Sequence, residues 1–306
     1  MAQTNTTGDT IFRTVLLAAA ALILIIVAAM IAMMIRNSLP TISRFGFSFL
    51  TGSTWNPSSG EYGALPFIYG TVVSSLIALI ISVPISLGVA IFLTEQAPVR
   101  IARPIAFLVE LLAAIPSVVY GLWGIFVLAP FVREYLGWFL QTYFGFIPLF
   151  QGRLTGIGMM TGGIILAIMI TPIITAVVRD VLEAVPSTQR EAALALGATK
   201  WETTQIVLTN AASGIAGAVV LGLGRALGET MAVTMVIGNT PQITEKLFEP
   251  AYTIASVLAA NFAEARDDLY LSALIEIGLI LFLVTFVVNA LAKLLVIGVT
   301  GKGAKA

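Results

Sequence analysis

Arg179-Asp180-Val181-Leu182-Glu183-Ala184-Val185-Pro186-Ser187-Thr188-Gln189-Arg190-Glu191-Ala192-Ala193-Leu194-Ala195-Leu196-Gly197 separates two long apolar stretches, 159–178 and 215–237. Thr188 and Glu191 stand at capping-box spacing, which predicts a helix starting near Thr188. Ala192 to Leu196 are strong helix formers, and Gly197 occupies the position of a left-handed helix cap. Thr199 and Glu202 repeat the capping-box spacing, so a second helix follows at once. Residues 179–210 therefore form a helix–Gly–helix elbow. Such a short helix, with small residues on one side, fits a groove in a partner protein or packs on its own bundle. The residues alone leave both readings open.

Working outward, six stretches are apolar over the roughly 20 residues needed to cross a bilayer: 12–35, 67–93, 107–131, 159–178, 215–237 and 271–298. The composition agrees. The 306 residues are 58% hydrophobic and 10% charged, against about 25% charged in soluble domains. Lipid is the solvent this surface suits. Helices are expected because open strands leave backbone groups unsatisfied in lipid, and the alternation of a barrel is absent. The fold class is an all-α integral membrane protein with six transmembrane helices. Val15–Ile35 is too long for a signal-peptide core, so it reads as an uncleaved first span.

With the amino terminus in the cytoplasm, Arg13, Arg100, Arg103, Arg179, Arg190, Lys200, Lys293, Lys302 and Lys305 face inward. Arg36, Arg44, Arg133, Arg153, Lys246 and Arg266 face outward, and this excess of inward positive charge sets the orientation. The expected layout is a cytoplasmic tail (1–11), a first span (12–35) and an extracytoplasmic loop (36–66). A permease core (67–298) with its inner loop (179–210) and a cytoplasmic tail (299–306) complete it. Net charge is zero, which gives no footprint for nucleic acid. With no cysteine and no histidine, thiolate or histidine metal sites and histidine-based catalysis are excluded.

Polar interruptions mark candidate function. Pro116, followed by Ser117, falls in the third stretch and Pro172 in the fourth. Proline removes a backbone donor, so each should kink or unwind its helix, either for packing or to free carbonyls along a path. Arg225 and Glu229 sit four residues apart in the fifth stretch. On a continuous helix they share a face. A lone charge near the bilayer centre costs about 2.5–3.5 kcal/mol on insertion scales. The pair is either an internal ion pair or the lining of an anion route. In the second case Arg225 would hold a tetrahedral oxyanion through two parallel hydrogen bonds, and Glu229 would hold Arg225 when the route is empty. Glu110 and Glu276 are expected near span ends, snorkelling or hydrogen-bonded in packing, and Asn289 in an interhelical contact.

Glu191-Ala192-Ala193, with Gly197 and Ile206-x-Leu208, resembles the EAA loop of ABC-importer permeases; Thr209 stands where the family pattern usually has proline. Gly63-Ala64-Leu65-Pro66-Phe67-Ile68-Tyr69-Gly70-Thr71, Ala114-Ile115-Pro116-Ser117-Val118-Val119-Tyr120-Gly121 and Gly222-Leu223-Gly224-Arg225-Ala226-Leu227-Gly228-Glu229-Thr230 resemble PstC-type phosphate-transporter permeases. The resemblance implies a type I importer (MetI-like) architecture in a bacterial inner membrane. It implies a second, PstA-like permease, two PstB-like ATPase subunits and an extracytoplasmic PstS-like phosphate-binding protein. It also makes the elbow the coupling helix that enters the ATPase. No phosphate-cradling G-x-x-x-x-G-K-[ST] loop occurs, so ATP with Mg is expected on the partner and no cofactor on this chain. Movement of the elbow would drag the fourth and fifth spans. The alternatives are a permease for another oxyanion or small solute, and a stand-alone channel or secondary transporter.

Overall fold

A computed structural model describes the backbone of residues 7–303 and side chains as far as residue 294. The predicted tails, 1–11 and 299–306, fall partly outside these residues. Helix α1 covers Thr7–Phe45 and α2 covers Leu65–Ile91, prolonged by a π-helical turn at Phe92–Gln96. Helix α3 is Val99–Ala113, and α4 begins at Ser117–Trp123 and continues through π-helical turns to Phe144. Helices α5 (Met159–Glu183), α6 (Ser187–Ala195), α7 (Lys200–Gly228) and α8 (Met231–Val236) follow. The chain ends with α9 (Ile254–Asn261) and α10 (Asp268–Gly303). Among the described residues, six helical segments are long and apolar enough to cross a membrane. Among the described residues the only strand-like feature is an isolated bridge between Asn56 and Glu61.

Several predicted boundaries move. Helix α1 passes beyond residue 35 into the expected outer loop and ends at Phe45, before the left-handed Gly46. The third stretch, 107–131, is two helices divided at Ala114–Pro116, and α4 runs on into the expected loop 132–158. The fifth, 215–237, is also two helices. Helix α7 reaches back to Lys200, so the second helix of the elbow and the fifth span are one rod.

Helix α5 is the hub. It packs most extensively on α2 and next on α7, while α10 joins α1 to α7. Close approach is built in at Gly222, where a Cβ would stand 2.6 Å from Ile174. Pro172 is buried and does not unwind α5, which is helical throughout Met159–Glu183. Beside it, the Thr171 carbonyl accepts from Ser86 Oγ (3.0 Å) and Thr175 Oγ1 (2.8 Å). The carbonyl that loses its donor to Pro172 is that of Ile168, four residues back, and the helix continues past it. At the end of the bundle where α2 and α10 begin, Trp55, Tyr62, Phe67 and Tyr270 form an aromatic cluster that clasps α1, α2 and α10. Such rings suit the membrane–water boundary.

Glu276 departs from expectation. It is 7% exposed, packed inside α10, and its Oε2 has no hydrogen-bond partner among the described residues. It borders a cleft of about 250 Å³ between α10 and the outer end of α1. Asn289 faces the cleft between α7 and α10, but its Oδ1 likewise makes no hydrogen bond among the described residues. An unpaired buried polar group costs about 1–3 kcal/mol. Glu276→Met is therefore expected to raise the thermal midpoint of the purified subunit in detergent. A lowered midpoint would show that the carboxyl is held by a bond absent from this account.

Candidate functional site

The two broken spans meet. Gly121 of α4 lies against Ala232 and Met235 of α8, and Gly124 lies against Val236 and Ile165. Depth can be read from neighbours on α5. Gly222 touches Ile174 and Ile170. Arg225, three residues further along α7, stands about 4.5 Å further toward the Met159 end of α5. That is near the midpoint of α5, and the start of α4 approaches the same depth. Two discontinuous helices at the bundle's mid-depth, each opening a new helix there, are the arrangement by which transporters expose backbone only where it lines a cavity.

Arg225 lies in the last turn of α7 and is exposed on the bundle surface. Among the described residues it has no ion pair. Nearby, the Tyr120 hydroxyl donates to the Leu112 carbonyl (2.8 Å) and so bridges the break between α3 and α4. Pro116 precedes α4 as its N-cap, with φ −59° and ψ 141°, and Ser117 opens the helix. Pro116 and Ser117 thus mark the discontinuity that the third stretch was expected to carry.

Glu229 corrects the expectation of a shared helical face. The helix ends at Gly228, and Glu229 is extended, with φ −69° and ψ 127°. Its carboxylate accepts from the Ala232 amide (3.5 Å), capping the start of α8 instead of holding Arg225. Sequence spacing missed this because four residues place two side chains together only while the helix continues. Pro172 is also not brought to Arg225. It lines a separate apolar cleft of about 350 Å³ with Ile85, Val109 and Leu112.

The elbow is formed as expected, with one change. Helix α6 starts at Ser187 with Pro186 as N-cap and no side-chain cap, so the Thr188–Glu191 capping box is not made. Pro186 already fixes the entry angle and brings the first helical residue one position earlier. The second box is made: Thr199 N donates to Glu202 Oε2 (2.7 Å), and Glu202 N donates to Thr199 Oγ1 (3.3 Å). Gly197 takes φ +88°, the left-handed value its position demands. Ala193 is buried, while Glu191, Ala192 and Gly197 are exposed. Leu196 is 90% exposed, and Leu194 and Trp201 are more than half exposed. Among the described residues, an apolar tip at this end of the bundle, led by Leu196, is therefore left largely uncovered. Sequence reading missed the groups that hold this elbow, Glu95 and Arg190. Their only sequence signal is an acid just past the second apolar stretch and an arginine just before Glu191.

Residues 82–300 match the family described as binding-protein-dependent transport system inner membrane component. The phosphate transport system permease protein PstC of Mesorhizobium japonicum is 47% identical over 93% of this chain and 89% of its own. That of Pasteurella multocida is 49% identical over 88% of this chain and 85% of its own. Among solved structures, a chain of the MetNI methionine ABC transporter in an inward facing conformation aligns with TM-score 0.55. It is 18% identical and covers 75% of this chain and 94% of that one, a likeness of fold. A multi-pass helical bundle, broken at mid-depth and bearing an exposed inner elbow, thus joins a family match over most of its length: the chain belongs to the family of binding-protein-dependent transport inner membrane components.

Proposed function

We propose that the chain is the transmembrane permease subunit of an ATP-driven phosphate importer in a bacterial inner membrane, with both termini cytoplasmic. Arg225 lines the phosphate route together with the helix breaks at Pro116–Ser117 and Glu229. Glu191, Ala192, Ala193 and Gly197 form the elbow that enters the ATPase. The partners are a second related permease (PstA-like), two ATPase subunits (PstB-like) that carry ATP with Mg, and an extracytoplasmic phosphate-binding protein (PstS-like).

The observation that carries this reading is the exposure of Arg225 at mid-depth with no counter-ion among the described residues. A guanidinium cannot shed its charge and is poorly tolerated against lipid tails. The surface around it must therefore be covered by protein that leaves an aqueous route. A second permease supplies that cover, and an oxyanion in the route supplies the missing charge. The PstC relatives, named for phosphate transport, support phosphate as that anion.

Reconstitution tests the proposal. Proteoliposomes holding both permeases and the ATPase, with binding protein outside, are expected to take up labelled phosphate only with ATP, and excess sulfate or molybdate should not compete. Uptake by this chain alone without ATP would make it a channel or secondary transporter, and competition by sulfate would move it to another oxyanion.

A further inference from the structure

Arg190 is the most heavily used cation among the described residues, and the proposed route does not employ it. Its Nη2 pairs with Glu95 Oε1 at 2.8 Å, and its Nε lies 3.3 Å from both carboxylate oxygens. Its Nη1 donates to the Val185 carbonyl (2.7 Å) and its Nη2 to the Leu182 carbonyl (2.9 Å). Those carbonyls belong to the end of α5 and the turn beyond it, where helix geometry leaves acceptors without amides. The Glu95 side chain is 8% exposed, in the π-helical turn that ends α2. One guanidinium therefore fastens α6 to the ends of two different spans.

We propose that Arg190 and Glu95 are the positioning pair that makes the elbow move as one body with α2 and α5. This rests on the reading of the elbow as the ATPase docking element and deepens it. Covalent connection ties α6 to α5 and α7, and packing together with a hydrogen bond from Asn210 Nδ2 to Gln189 Oε1 (2.9 Å) holds it on α7, but neither reaches α2. A turn such as Ala184–Pro186 can flex, so without the pair the ATPase could rock α6 with α7 and leave α2 and α5 in place. The pair removes that freedom. A part-buried bidentate ion pair whose guanidinium also donates to two carbonyls favours one geometry, and breaking it leaves the Glu95 carboxylate without its counter-ion. Helix α2 has the largest interface with α5, and α7, which carries Arg225, rests on both. A push on α6 then reaches the α2–α5 pair, and through it the seat of Arg225.

Glu95→Gln keeps the size and removes the charge. In the assembled complex, ATPase binding and hydrolysis are expected to persist, while phosphate imported per ATP hydrolysed falls about 10-fold, the size of a typical coupling between sites. Glu95→Asp is expected to restore part of that ratio. A purely structural pair would instead lower binding, hydrolysis and uptake together, and an unchanged ratio would also overturn the proposal. Spin labels at Gln96 and Thr188, both exposed, give a second readout on the purified chain. One narrow distance is expected with Glu95, and a broadened distribution in Glu95→Gln. Equal distributions would sink the idea. This measurement needs no ATPase, so its failure is separable from failure of the docking reading, which would appear as an ATPase indifferent to changes at the elbow tip.

Discussion

Arg225→Gln is expected to reduce phosphate uptake by about 100-fold or more, since hydrogen bonds to a charged partner are each worth about 1.5–3 kcal/mol and two are lost. The complex should still assemble. Arg225 is exposed and makes no hydrogen bond or ion pair among the described residues, so its removal leaves no buried group stranded in this chain. That separates it from Arg190, whose loss would orphan Glu95 and two carbonyls. Arg225→Lys tests the chemistry more finely. It keeps the charge and loses the planar fork, so uptake is expected to fall by about 10-fold, a single lost contact in free-energy terms. Uptake is measured with labelled phosphate, and assembly by copurification of the ATPase. Wild-type uptake in Arg225→Gln with normal assembly would remove this side chain from the route.

How this site could be read from the sequence shows where sequence reasoning works for such a chain. The spans were legible because lipid demands long apolar runs and tolerates few exceptions. Arg225 was legible for the same reason, as a charge that such a run does not explain away. The relation between Arg225 and Glu229 was not. It depends on whether the helix continues past Gly228, which the four-residue spacing does not report; the break is held by packing of α8 on α4 and by the Ala232 amide donating to Glu229. Pro116 and Pro172 make the same point. Each lacks an amide, but only Pro116 falls at a helix break: it stands before α4 as N-cap, where no intrahelical amide bond is needed, whereas Pro172 lies inside α5, which is packed on α2 and α7. The elbow was legible through Gly197 and the Thr199–Glu202 box, which are local devices. Its fastening to α2 was not, since Glu95 and Arg190 are far apart in sequence and meet only in the folded bundle.

The elbow tip carries the other large effect. Leu196→Lys is expected to weaken ATPase binding by about 100-fold or more, since an unpaired charge forced into a buried interface costs about 3–5 kcal/mol. Leu196 is 90% exposed in the chain by itself. Substitution there should change the fold by less than about 0.5 kcal/mol, as at other surface positions. Lysine also suits the end of α6, because a positive charge near a helix C-terminus is stabilised by the backbone dipole. Weakened binding could then not be blamed on an unravelled elbow. Leu196→Met fills similar volume without charge and is expected to bind normally. Copurification and surface-immobilised binding read the affinity, and transport should fall in parallel because no docking means no stroke to transmit. The contrast with Glu95→Gln is the useful part. One variant detaches the motor, and the other leaves it attached and turning while the elbow slips. If Leu196→Lys binds the ATPase like the parent chain, the apolar tip is not the docking surface, and another part of the inner face must receive the motor.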